Sequence, residues 1–231
     1  MIQHAIFPTL IGQWHYNDSV KFKKTIQKTA IKYLDKHGFS NESTGHVTIH
    51  HEPKFKNFYT FVSDSLKEYI QTLNVDPERF DLNLVKSWFN IIKDTNTPHH
   101  NHGDAHVSFV YYINLPTNIQ KNLHFCRTDP IHNDLFYGML KYNNNGQWNS
   151  FNALGYNFAV EEGQLYIFPG SLFHENTDVN TSAQYENAGV KSKEDLYTRR
   201  VSIAGDFVLT FKESAALPLG LQPIKNWKVF S

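Results

Sequence analysis

The feature that most constrains this chain is a change in its hydrophobic period near Phe80. Before that point apolar side chains recur at helical spacing. From Asn17 to His37, Phe22, Ile26, Ala30, Tyr33 and Leu34 fall on one stripe, with Asn17 or Asp18 as a cap and Gly38 as a stop. After Pro53 a second stripe runs through Phe55, Phe58, Val62, Leu66, Tyr69 and Leu73 and ends at Asn74 and Asp76-Pro77. Beyond Phe80 the texture becomes short aromatic and β-branched runs, "LVKSWFNII", "VSFVYYINL", "NLHFCR", "QLYIFP" and "RRVSIAGDFVLTF", separated by Pro, Gly and Asn clusters such as "NNNG" and "EEG". Helices gathered at one end of a run of such strands predict a mainly β, α+β fold. One domain is expected over residues 1–231, with helical support in 1–79 and a sandwich or barrel in 80–231. The polar stretch 176–198 has weak periodicity and is expected to be a loop over one mouth of the sandwich.

Charge and cysteine content narrow the setting. Lys plus Arg is 22 and Asp plus Glu is 22, so no broad cationic field exists to attract phosphate backbones or anionic lipid, and nucleic acid is not a default partner. With Cys126 alone, neither an intramolecular disulfide framework nor a Cys-based zinc site is expected, which fits a reducing interior. The N-terminal "MIQHAIFPTLIGQW" lacks a basic leader, and no run approaches the roughly 20 apolar residues that span a bilayer. A cytoplasmic protein is expected; its oligomeric state is not legible.

The segment "PHHNHGDAHVSFVYYINLP", residues 98–116, sets histidines and an aspartate in front of a strong β-former. In an extended chain alternate residues share a face, so His100, His102 and Asp104 could project together. Nitrogen and carboxylate ligands without thiolate suit iron, manganese or zinc, and two histidines with one acid leave positions open for exchangeable ligands. The candidate for a distal ligand is His174, because "EEGQLYIFPGSLFHEN" carries it back after an aromatic strand and a Pro-Gly turn. In "RRVSIAGDF", Arg200 and Ser202 share one face of a late strand, where a guanidinium fork and a hydroxyl can grip one carboxylate. Asn90 and Tyr112 are candidate pocket-lining groups, Trp88 is assigned to the core, and structural roles are expected for His106 and His124.

The ordered set of "IFPTLIG", "SWFNIIKDTNTPHHNHGDAHVSFVYYINLP", "EGQLYIFPGSLFHEN" and "RRVSIAGDF" resembles the Fe(II)- and 2-oxoglutarate-dependent oxygenases, within them a group common in bacteria and phages. The resemblance implies a double-stranded β-helix, the jelly roll shared with cupins, with iron at its open mouth. It implies His102, Asp104 and His174 as catalytic metal ligands, and Arg200 with Ser202 as the anchor for the distal carboxylate of 2-oxoglutarate. It also implies O2 as cosubstrate, release of succinate and CO2, and hydroxylation of a substrate that the sequence does not name. Relatives in this group often carry histidines at the positions of both His100 and His102 without an acid at 104, so a set of His100, His102 and His174 stays open beside the first. Two other classes compete: a cupin-like metal enzyme that does not use 2-oxoglutarate, which has no need of the Arg200–Ser202 pair, and a noncatalytic jelly-roll binding or virion protein, which needs no iron.

Overall fold

Both helical stripes fold as their periodicity demands. In the computed structural model, which describes residues 9–37, 48–92, 97–116, 122–126, 155–176, 195–213 and 220–230, helix α1 spans Ser19–His37 and α2 spans Lys56–Thr72. Phe22 and Ile26 of α1 are buried; the side chains of Ala30, Tyr33 and Leu34 and the stop at Gly38 lie outside the described residues. The second stripe is entered through a 3-10 turn at Pro53–Phe55, with proline in the position where its missing N–H costs nothing. It buries Phe55, Phe58, Val62, Leu66 and Tyr69, whereas Leu73 falls past the last turn as the C-cap and is exposed. Asn74 then takes φ 58°, a left-handed conformation that asparagine tolerates, and Asp76 caps the next turn by accepting from Glu78 N at 3.0 Å.

The strands are β1 Gly12–His15, β2 Phe80–Ile92, β3 Thr97–His100, β4 Val107–Asn114, β5 Asn122–Cys126, β6 Gly155–Ala159, β7 Gln164–Pro169, β8 His174–Asn176 and β9 Arg200–Phe211, with a short helix α3 at Asp195–Thr198 before β9. They form a five-stranded sheet, β1-β7-β4-β9-β2, and a four-stranded sheet, β3-β8-β5-β6. Every pairing between these strands is antiparallel. Strand β1 lies inside the segment expected to be purely helical; "GQWH" is too short to show alternation, and only its pairing with β7 makes it a strand. The "EEG" turn does not close a hairpin: β6 and β7 belong to different sheets, so it carries the chain from one sheet to the other. The "NNNG" cluster and residues 177–194 of the expected loop lie outside the described residues.

Strand alternation gives the large sheet two distinct faces. Phe109, Tyr111 and Ile113 of β4, Leu165 and Ile167 of β7, and Val201, Ile203 and Phe207 of β9 join Phe22, Ile26, Phe58, Val62 and Leu66 of the helices in one core. Its centre is aromatic: Phe22 stacks on Phe58 at 4.6 Å, and both rings lean on Tyr111. The intervening residues face the small sheet, where Tyr112, Tyr166 and Phe168 pack with Leu123 and Phe125 of β5. Ser87 ties the layers, since its Oγ contacts Tyr59 Oη of α2 at 2.9 Å and donates to Ala204 O of β9 at 2.7 Å. Between the two sheets, beside the second core, is a cavity.

Candidate metal centre

The cavity encloses about 410 Å³ and is walled by the inward residues of both sheets. From β2 come Lys86, Trp88 and Asn90, from β4 Val110 and Tyr112, from β9 Arg200, Ser202 and Ala204, and from the small-sheet side His100, His102 and His174. Ligand atoms of these three histidines lie within 4.8 Å of one another, with ring centroids 4.3 to 5.2 Å apart.

Local backbone explains why these three converge. Strand β3 ends at His100, directly opposite His174 in the pairing with β8. The chain then turns: His102 N donates to Gly170 O at 2.7 Å, Ala105 N donates to His102 O at 2.9 Å, and Gly170 N donates to His106 O at 3.1 Å. This locks the turn carrying His102 against the one leading to His174. Gly170 is required there, because a Cβ would sit 2.4 Å from Ala105 O. The sequence reading treated 100–104 as one extended face. The turn breaks that face, and Asp104 stands exposed at the rim of the cavity, outside the converging group.

For two of the three, His174 and His102, hydrogen bonds fix which ring nitrogen is available. His174 Nδ1 contacts Leu172 O at 3.0 Å; a carbonyl only accepts, so Nδ1 carries the proton and Nε2 keeps its lone pair. Burial pushes the His174 pKa down to about 4, which keeps the ring neutral and able to act as a ligand. His102 Nδ1 donates to Asp206 Oδ1 at 2.7 Å. Asp206 is fully buried, accepts from Ser108 Oγ at 2.6 Å and pairs with Lys86 Nζ at 3.0 Å. Burial alone would raise its pKa, but these partners, His102 foremost, outweigh that and hold the carboxyl below the usual range. The carboxylate–histidine pair is the arrangement that orients a metal-binding imidazole and raises its basicity.

On the opposite wall Arg200 is buried, donating to Tyr112 Oη at 3.2 Å and to Asn122 O at 3.0 Å, with its guanidinium 5.0 Å from the Tyr112 ring centroid. Burial raises the Tyr112 pKa, so the phenol stays protonated. Ser202 is buried beside Arg200 on the same wall, and Asn90 Oδ1 accepts from Trp88 Nε1 at 3.1 Å. Arg199 does not line the cavity, yet it is as buried as Arg200 rather than a surface residue. Trp88, assigned to the core, instead stacks on His102 at 5.5 Å. Asp206 and Lys86 were missed. The signal for Asp206 was present, since in "RVSIAGD" it shares the alternate-residue face of Arg200 and Ser202. His106 Nδ1 accepts from Leu209 N at 3.0 Å, and His124 Nδ1 contacts Asn157 Oδ1 at 2.8 Å; neither belongs to the converging group.

Residues 86–185, which carry the triad and most of the cavity wall, match the family model described as "putative 2OG-Fe(II) oxygenase". Over those residues the chain is similar to the 2OG-Fe(II) oxygenases. The whole fold is similar to the non-heme monooxygenase ThoJ, solved as a nickel complex, at TM-score 0.51 and 10% identity over 90% of this chain and 77% of that one. It is equally similar to SnoK, a non-heme alpha-ketoglutarate-dependent carbocyclase from nogalamycin biosynthesis, at TM-score 0.51 and 8% identity over 88% and 82%. A prolyl-4-hydroxylase from Pseudomonas putida aligns at TM-score 0.49 and 13% identity over 86% and 87%. No curated protein matches in sequence. Among the described residues no helix is long and apolar enough to cross a membrane.

Proposed function

We propose that this protein is an oxygenase that uses Fe(II), 2-oxoglutarate and O2 to hydroxylate an organic substrate, with His100, His102 and His174 as the iron ligands. The observation that carries the reading is the convergence of three histidines on one side of a cavity whose other wall holds a buried Arg200 and Ser202. The donor set fits the ion: three imidazoles on one side suit a divalent first-row metal and leave other positions open. When bound, the iron supplies the oxidising chemistry by which the family turns 2-oxoglutarate into succinate and CO2 while oxidising a C–H bond.

The residues of the chain do the remaining tasks. Asp206 holds the proton on His102 Nδ1, so that Nε2 faces the centre, and supplies close to the ion the negative charge that a ligating carboxylate would otherwise bring. Lys86 and Ser108 keep Asp206 from turning into the site. Arg200, steadied by Tyr112, and Ser202 receive the distal carboxylate of the oxo acid; a charge-assisted pair in a water-poor wall is the strong form of such a contact. Trp88, stacked on His102, and Asn90 line the floor. We assign the chain, residues 1–231, to one jelly-roll domain: the path β3 to β4, β6 to β7, β7 to β8 and β8 to β9 passes each time from one sheet to the other, as a double-stranded β-helix requires.

Anaerobic titration with manganese, followed by succinate release under air with iron and 2-oxoglutarate, tests the ligand set. His100→Ala, His102→Ala and His174→Ala are each expected to lose metal and turnover, whereas Asp104→Ala keeps the metal. An Asp104 variant that loses metal while the His100 variant retains it overturns the three-histidine set in favour of the two-histidine, one-carboxylate set.

A further inference from the structure

Behind the triad the small sheet carries a second group of ligand-capable side chains. Each is the immediate neighbour of an inward-facing residue, and strand alternation sets it apart from that neighbour: His99 beside His100 on β3, Cys126 beside Phe125 on β5, and Glu175 beside His174 on β8, the last also bordering the cavity. Ligand atoms of His99, Cys126 and Glu175 lie within 4.8 Å of one another. His99 Nδ1 is 3.7 Å from Glu175 Oε2, and its ring stacks on Phe173 at 4.7 Å. Cys126 is held next to the same residue, its N–H donating to Phe173 O at 2.9 Å.

We infer that His99, Cys126 and Glu175 form a second divalent-cation site, best suited to zinc, which staples β3, β8 and β5 together behind the triad. One thiolate, one imidazole and one carboxylate make a zinc ligand set, distinct in softness from the all-nitrogen set on the other face. The three residues come from distant points in the chain and from three adjacent strands of the small sheet, so an ion there adds a side-chain link to strands already paired through their backbones. Half-exposed His99 leaves a route for the ion and a position for water.

The bland alternative is a His99–Glu175 ion pair with a cysteine nearby by chance. At 3.7 Å and with His99 about half exposed, such a pair contributes little, and it gives the thiol no part. Burial, with the Glu175 carboxylate adding to it, pushes the Cys126 thiol up to about 11, so without a cation it is a poor nucleophile and a poor redox centre. A bound cation displaces that proton and places a positive charge beside both the thiolate and the carboxylate.

The chain has one cysteine, so any thiolate-to-metal charge-transfer absorption must arise at Cys126. Metal-stripped, reduced full-length protein titrated anaerobically with Co(II) is expected to develop such a band in the near ultraviolet, saturating at one equivalent and bleached by zinc. The band is expected to persist in His102→Ala or His174→Ala, which separates this site from the iron-binding reading. His99→Ala and Glu175→Gln are each expected to weaken cobalt affinity, read from the band, by at least about tenfold. Cys126→Ser is expected to abolish the band while leaving the visible absorption of cobalt at the triad. The proposal is overturned if the native chain gives no charge-transfer band, if the band is insensitive to both His99→Ala and Glu175→Gln, or if both triad variants abolish it.

Discussion

Asp206 joins three groups whose demands would otherwise conflict: the His102 ring, the Ser108 hydroxyl and the Lys86 ammonium. Leaving such a carboxylate buried without them would be costly, and leaving His102 without it would free the ring to turn. Asp206→Asn keeps the shape but removes the charge. Manganese affinity measured anaerobically is expected to fall by about 10–100-fold with the circular dichroism spectrum unchanged; an unchanged affinity would show that the pair is structural only. Arg200→Met is expected to weaken 2-oxoglutarate binding by about 2–5 kcal/mol, tens-fold or more in Kd, with metal affinity intact. Equal loss of metal and oxo acid would remove Arg200 from the anchoring role. Arg199→Met is not a neutral comparison, because the substitution changes a side chain as buried as that of Arg200. At this scale the sequence made residue types legible and directions only in part. That His102, His174, Arg200 and Ser202 line one cavity was legible because strand alternation and a Pro-Gly turn set their directions. Which of His100 and Asp104 joins the converging side chains was hidden because it depends on where β3 stops, and that is decided by backbone bonds to Gly170, a residue far along the chain.

Among the elements, β9 bears the most. It lies between β4 and β2 in the large sheet, presents Val201, Ile203 and Phe207 to the helices, and presents Arg200, Ser202 and Asp206 to the cavity side. Gly205 interrupts its helix-facing series for a steric reason: a Cβ there would stand 2.5 Å from Phe109 Cε1 and 2.9 Å from Lys86 O. The ring can shift, but the carbonyl belongs to the neighbouring strand. Gly205→Ala is therefore expected to cost on the order of 1–3 kcal/mol in urea unfolding. Because Lys86 pairs with Asp206, the same variant is expected to weaken the metal site as well; a variant as stable as the native chain would show that β2 yields more easily than the packing implies. The elements themselves were largely legible: both helices and the aromatic strands show their periods. Strand β1 was not, since four residues hold too little pattern, and neither was the partition of strands into sheets, which is set by pairing over long sequence separations.

Across the whole molecule, the cavity is closed by residues from β2, β4, β9 and the small sheet together, so ligands that fill it should bind only the folded chain. Manganese and 2-oxoglutarate are expected to raise the thermal midpoint jointly by more than the sum of their separate effects. A ligand at about 100 times its Kd contributes about 2.7 kcal/mol, and absence of any oxo-acid effect on the metal-loaded protein would count against the cosubstrate. Truncation in the helical core makes the complementary test. Phe58→Ala is expected to lower stability by about 3–5 kcal/mol while metal affinity at a temperature where the protein is folded stays unchanged; a large loss of affinity would show that the two layers are coupled. The large sheet is what separates them, with an aromatic helical core on one face and the polar cavity on the other. For the descent of such a protein this division matters more than any single contact. A lineage can rebuild the connections around the cavity, and so change what the cavity admits, while inheriting unaltered the layer that keeps the chain folded.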